Sequence, residues 1–169
     1  MSSETSFLIS NSSLQVASDI NAITIVLDWF DQFNCSPLTN RVWIEGQTGL
    51  IEGFTNVVRH AHKHLSPQTP IDLSVQISAE YFQLCIWDRG DIFNLETALE
   101  KLSEQTSNQT FNPLDQEAHW GCIFLLKLRD KYSWKISYTR DFDARNCLLL
   151  RKELVPQSGI ENSKFKIQN

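Results

Sequence analysis

Residues 51–62 read IEGFTNVVRHAH. Set out at 100° per residue with Glu52 at zero, Asn56 falls at about +40°, Arg59 at about −20°, Lys63 at about +20° and His60 at about +80°. Leu50, Phe54, Val57, Val58 and Ala61 fall on the opposite half. One face of the helix therefore packs. The other gathers a carboxylate, an amide, a guanidinium and an imidazole. A solvated helix face gives the same pattern, so this stretch alone does not distinguish a site from a surface.

Working outward, SFLISNSS (6–13) reads as a short first strand, and 16–33 carries apolar residues at helical spacing. Asn34–Pro37 breaks that run. A second helix is predicted from near Pro37 to about Leu65, with Gly46, Gly49 and Gly53 inside it. Each glycine costs about 1 kcal/mol against alanine in a helix, so these mark close packing or a break. SPQTP (66–70) is a loop. IDLSVQIS (71–78) alternates apolar and polar residues, and YFQLCIW (81–87) follows after two residues, which predicts a hairpin. DRGDIFN (88–94) is a turn, 95–102 a short helix, and 103–120 a long polar loop without glycine. GCIFLLKLRDKY (121–132) is a helix. SWKISYTR (133–140) and NCLLLRKEL (146–154) form a second hairpin. The predicted order is β-α-α-β-β-α-loop-α-β-β: one α/β (α+β) domain over 1–154, a two-layer sandwich with helices on one face of a mixed, mostly antiparallel sheet, and a disordered tail at 155–169.

The chain has 169 residues and a formal net charge of −5, which suits one domain with its own core. Mild acidity without a basic run argues against nucleic acid as a partner. MSSETSFLIS lacks the basic and apolar regions of a secretory signal, and no apolar run reaches membrane-spanning length. Cys35, Cys85, Cys122 and Cys147 have neither metal-ligand nor redox spacing. They read as reduced cysteines of a cytoplasmic protein. His60, His62 and His64 alternate on the helix, which spreads them around it rather than onto one metal. The RGD at 89–91 reads as chance, and the five tryptophans as packing, apart from Trp120 beside the long loop.

Three downstream features bear on the opening helix. Asp88 ends a strand, where its carboxylate can accept two hydrogen bonds, for instance from an adenine amino group, while Gly90 lets the chain turn away. The polar loop has the length of a lid. Gly121 opens a helix whose free N–H groups attract phosphate.

In this order, over roughly residues 6–153, the segments resemble the GHKL ATPase superfamily, most closely its anti-sigma-factor serine/threonine kinases. EGFTNVVRHAH is similar to the N-box E-x-x-x-N-x-x-x-H-[AG]. DRGDIFN resembles the G1 box D-x-G-x-G-F-D, with Phe93 and Asn94 in its last places. GCIFLLKLRD resembles the G2 region, with Leu128 and Asp130 in register. The resemblance implies the Bergerat ATP-binding fold, with ATP and Mg²⁺ as cofactors. It makes Glu52 the general base and Asn56 the magnesium ligand, with Arg59 near phosphate. Asp88 and Gly90 would read adenine beside Phe93. His119, Gly121 and Cys122 would touch phosphates, and His60 would support the site. It also implies partners: an anti-anti-sigma (STAS-like) protein as phosphoryl acceptor, a sigma factor or other regulator as the bound target, and a second copy, since such kinases often pair. Ile92 stands where the second G1 glycine is expected, and His119 where the first G2 glycine is expected. The alternative is a degenerate module of the same fold that sequesters a partner without catalysis. An output domain of a sensor histidine kinase fits less well, because no dimerisation helix with a phospho-accepting histidine is present.

Overall fold

A computed structural model describes residues 8–107 and 120–155. The predicted loop over 108–119 with His119, the side chain of Trp120 and the predicted tail beyond 155 lie outside the described residues.

Strand β1 spans Leu8–Ala17. A 3₁₀ turn at Ile20–Ala22 leads into helix α1, Ile23–Asp31. Helix α2 spans Asn40–Asn56 and runs into a π-helical turn at Val57–Ala61. Strands β2, Pro70–Ser78, and β3, Tyr81–Asp88, follow. Helices α3, Leu95–Ser107, and α4, Trp120–Tyr132, precede strands β4, Lys135–Arg140, and β5, Asn146–Glu153. The five strands lie in the order β1-β2-β3-β5-β4.

The expected α+β architecture with a mostly antiparallel sheet is what the structure shows, and among the described strands every pairing is antiparallel, so the sheet is not mixed there. Two helices separate β1 from β2. The second returns the chain to the end where β1 finished, so β2 runs back alongside β1. The period-2 pattern of β2 sends Ile71, Leu73, Val75 and Ile77 inward, and Phe82, Leu84 and Ile86 of β3 and Leu148 and Leu150 of β5 share their side. A one-residue slip of β2 would turn four of these side chains to solvent, at roughly 1.5–3 kcal/mol each. Val26 and Phe30 of α1, Leu50 and Phe54 of α2 and Leu125 and Leu128 of α4 meet them in one core cluster.

Several boundaries differ from the sequence reading, among them the end of the second helix, which stops at Asn56 before the π turn instead of running to about Leu65. β1 continues to Ala17, because Leu14 and Val16 pair with Leu73 and Ile71 in the sheet. Asp19 accepts from Asn21 N at 2.9 Å and caps the 3₁₀ turn, so α1 begins later than predicted. α2 begins at Asn40 rather than near Pro37, since Thr39 caps it by accepting from Val42 N at 3.3 Å. α3 runs on to Ser107, into the predicted loop.

The three glycines of α2 mark close packing, not a break. A Cβ on Gly46 would lie 2.5 Å from the Phe82 ring, one on Gly49 2.7 Å from Leu150, and one on Gly53 against Ile86 Cδ1. Their absent side chains let α2 lie directly on β3 and β5. Buried Glu45 fixes the other end of the contact, accepting from Trp134 Nε1 and Arg41 Nε, both at 2.8 Å. The packing sets the C-terminal end of α2 beside the end of β3, so the opening motif sits next to Asp88.

Candidate functional site

A cavity of about 510 Å³ opens between the end of α2, the turn after β3, the first turns of α4 and the β4–β5 hairpin. This is within the usual size of a small-molecule site. Its wall includes Asn56 and His60 from the opening motif, Asp88, Gly90 and Phe93 from the turn, and Cys122 from α4. Ile92, Leu95, Ala98, Leu125 and Leu148 make much of the remainder apolar.

Asp88 is 1% exposed, in phase with the core residues of β3, yet it carries a carboxylate. Three donors hold it. Gly90 N and Asn146 Nδ2 each reach Oδ1 at 2.8 Å, and the Tyr138 hydroxyl reaches Oδ2 at 2.6 Å. A carboxylate offers about four lone-pair positions. Three are filled, which leaves one position on Oδ2, and Asp88 is among the residues that line the cavity.

Tyr138 and Asn146 were not singled out in the sequence. Both lie on the β4–β5 hairpin, and a signal was there. Asn146 keeps the inward phase of Leu148 and Leu150, and Tyr138 that of Ile136, so each places a polar group where an apolar one is expected. Asn146 is fully buried. It also donates to Gly90 O at 3.0 Å, tying the turn after Asp88 to β5.

Gly90 serves a purpose beyond turning the chain. A Cβ there would lie 2.5 Å from the Ala61 carbonyl oxygen, so only glycine lets the turn seat against the end of the α2 motif. That seat depends on the π turn, where His62 N donates to Val57 O at 2.8 Å. The extra residue in the turn shifts the next residues off the 100° pattern and buries His62. Its Nε2 accepts from Arg89 N at 2.8 Å, which leaves the proton on Nδ1, 3.1 Å from Ser18 Oγ. His62 therefore pins the chain after Asp88 in its neutral form. π turns recur at functional sites, but no periodicity argument on residues 51–62 announces one.

Burial holds the His62 pKa below its ordinary value of 6.5, with Asp88 opposing the shift and Arg89 adding to it. The unfolded chain thus takes up a proton near pH 6.5 that the folded chain resists. Stability from this group is complete above about pH 6.5 and is lost as the pH falls toward the lowered value. In urea denaturation the parent is expected to lose stability more steeply between about pH 7.5 and about pH 5.5 than His62→Gln, whose amide does not titrate. Parallel pH profiles would remove His62 from this role.

The remaining predicted residues divide. Glu52 and Arg59 lie outside the cavity wall. Glu52 is near enough to Cys122, in the wall, for its charge to act on that thiol. Burial raises the Glu52 pKa while Arg59 lowers it, and the Glu52 charge, after burial, helps raise the pKa of the Cys122 thiol. Arg59 is exposed, and Ile92 is 72% exposed. Phe93 sets its ring edge-on to Tyr138, 6.4 Å between centroids. Asn56 meets Gly121 closely: a Cβ on Gly121 would lie 2.5 Å from Asn56 Nδ2 and 2.8 Å from Oδ1. The glycine is what lets the amide and the α4 N-terminus share one place.

The arrangement suits an adenine nucleotide. A buried acceptor shares the cavity wall with apolar side chains, and a helix N-terminus lies beside a hard oxygen donor. Magnesium fits Asn56, since that ion is held by few protein oxygens together with substrate phosphates. The Asn56 amide makes no hydrogen bond among the described residues, so none of them occupies its oxygen. Among the same residues no cluster of three or more histidines, cysteines or carboxylates forms a metal cage, and no helix is long and apolar enough to cross a membrane.

Comparison with curated proteins finds no match. The sequence family described as Histidine kinase-like ATPase domain matches residues 16–152, from the end of β1 through β5. With an antiparallel five-stranded sheet under four helices, and the N-box and G1 segments meeting at one cavity, the chain belongs to the histidine kinase-like ATPase domain family, which implies ATP as its nucleotide.

Proposed function

We propose that the domain binds Mg-ATP in this cavity and works as an anti-sigma-factor-type serine/threonine kinase. Its acceptor is a hydroxyl on an anti-anti-sigma (STAS-like) partner. When that partner is absent it holds a sigma factor or another regulator. The resemblance of residues 52–61 and 88–94 to the kinases of such systems supports the choice among family members, and it also supports a cytoplasmic protein acting as a pair of copies.

The observation that carries the reading is the meeting of Asp88 and Asn56 in one cavity wall, with Glu52 one turn before Asn56. Asp88 would accept the base's amino hydrogen. Asn56 would hold magnesium, which neutralises phosphate charge when bound. Glu52 would take the proton of the acceptor hydroxyl as its oxygen bonds to the terminal phosphorus. The bond from that phosphorus to the bridging oxygen breaks, and ADP leaves with the electron pair. Burial of Glu52 suits it to this task, because a raised pKa makes a carboxylate a better proton acceptor. The acid limb of the rate profile then lies above the pH expected of an ordinary glutamate.

Incubation with γ-labelled ATP and a cognate STAS-like domain tests the reading. Glu52→Ala is expected to lower label transfer by about 10²–10⁴-fold. Transfer at the parent rate in that variant would remove Glu52 from the base role. A second reading, a sequestering module without turnover, draws on the exposed Ile92 in the place of a G1 glycine and on the Asn56 amide lying against Gly121. ATP binding with no transfer to any acceptor would select it.

A further inference from the structure

The donors around Asp88 do more than hold it. Gly90 N and Asn146 Nδ2 saturate Oδ1, and the Tyr138 hydroxyl takes one of the two positions on Oδ2. Tyr138 is itself part of the cavity wall. Its ring is braced edge-on by Phe93, so the hydroxyl has a fixed place. Burial first, and then the hydrogen bond and charge of Asp88, push the phenol's ionisation well above its ordinary range. The hydroxyl is thus a donor at every physiological pH.

What it displaces is water. Without the phenol, a water molecule could stand at Oδ2, donating one hydrogen to the carboxylate and the other to whatever the ligand presents. Such a water accepts either kind of base, because it can also donate to a keto oxygen. With the phenol in place, a ligand meets Oδ2 directly. A 6-amino group donates to the remaining lone pair. A 6-oxo group sets one acceptor against another.

We propose that Tyr138 is a specificity-determining residue of the base site: by occupying the water position on Asp88 Oδ2, it makes the cavity select 6-aminopurine over 6-oxopurine nucleotides. The inference rests on the nucleotide reading above. It assigns the selectivity to the phenol as much as to the carboxylate.

ATP and ITP differ only at the 6-position and the adjoining ring nitrogen, so their dissociation constants report on this contact. A site built to receive a donor rejects an analogue lacking it strongly. The parent is expected to prefer Mg-ATP over Mg-ITP by at least about 100-fold. In Tyr138→Phe that ratio should fall by about tenfold or more, chiefly through better ITP binding. Thermal melting of both proteins, taken alongside, shows whether the variant folds. A ratio unchanged in a folded Tyr138→Phe overturns the proposal, even where both affinities drop together, since that is the result of a purely structural role. Parent protein binding ITP within about threefold of ATP overturns it whatever the variant does. Parent protein that binds neither nucleotide refutes the nucleotide reading and this inference with it. Parent protein that binds ATP with an unchanged ratio in the variant refutes the inference alone.

Discussion

Asp88→Ala is expected to lose both nucleotide and stability. The carboxylate is buried and accepts from Gly90 N, Asn146 Nδ2 and the Tyr138 hydroxyl. Removing it strands three donors, each costing about 1–3 kcal/mol if unsatisfied. Water entering the space left by the side chain recovers part of this. The net loss is roughly 2–5 kcal/mol, read as a lower urea midpoint at unchanged slope. The contact to the base is lost as well, a charge-assisted hydrogen bond of about 1.5–3 kcal/mol, which weakens ATP by roughly 10–100-fold. Asp88→Asn separates the two effects. It keeps the shape and one acceptor, so it retains more stability, yet it offers an amide donor where the base's amino group also donates. An Asp88→Ala protein with the parent's midpoint would mean that the network around Asp88 does not hold the β4–β5 hairpin to the turn.

Asn56→Ala is expected to do the opposite: spare the fold and remove magnesium from the site. Asn56 is half-buried at the end of α2, where alanine is the better helix former. Its amide has no hydrogen-bond partner among the described residues, so its loss strands nothing there. The melting temperature without ligand should match or exceed the parent's. Mg-ATP affinity should drop by about 100-fold, roughly 2.7 kcal/mol, toward that of ATP in a metal chelator. Calorimetry with and without magnesium checks this. A melting temperature that rises equally with Mg-ATP in variant and parent contradicts it. Gly121 bears on the same point, since a side chain there would push into the Asn56 amide.

Much of this was legible in the chain itself. Alternation over 71–78 fixed the inward face of β2, and the helical spacing of Val26, Phe30, Leu50 and Phe54 fixed the packed faces of α1 and α2. Asp88 and Asn56 were legible because motif spacing placed them at element ends, where side chains can serve a cavity. Other features had no sequence signature. The π turn arises from one register choice in the backbone hydrogen bonds, and residue periodicity does not encode it. His62 becomes a buried brace only through that turn. The sequence alone ends β1 near Ser13 because SNSSLQVA is polar on one face, and Ser10, Ser12, Leu14 and Val16 form one inward row only with β2 beside them. Tyr138 and Asn146 are distant in sequence from the residue they hold, by 50 and 58 positions, so only the β3–β5 pairing and the hairpin bring them to it. Glu52 shows the limit of a helical wheel. It shares a face with Asn56 but stands one turn further along and is not among the residues of the cavity wall.

The cavity lined by Asn56 and Asp88 is expected to take an adenine nucleotide. Thermal unfolding of the parent protein with and without Mg-ATP addresses it most directly. A ligand that binds only the folded state stabilises it by about 2.7 kcal/mol at 100 times its dissociation constant. The melting temperature is expected to climb with Mg-ATP concentration and to climb far less in Asp88→Asn. A melting temperature that stays flat in the parent up to millimolar Mg-ATP would contradict it.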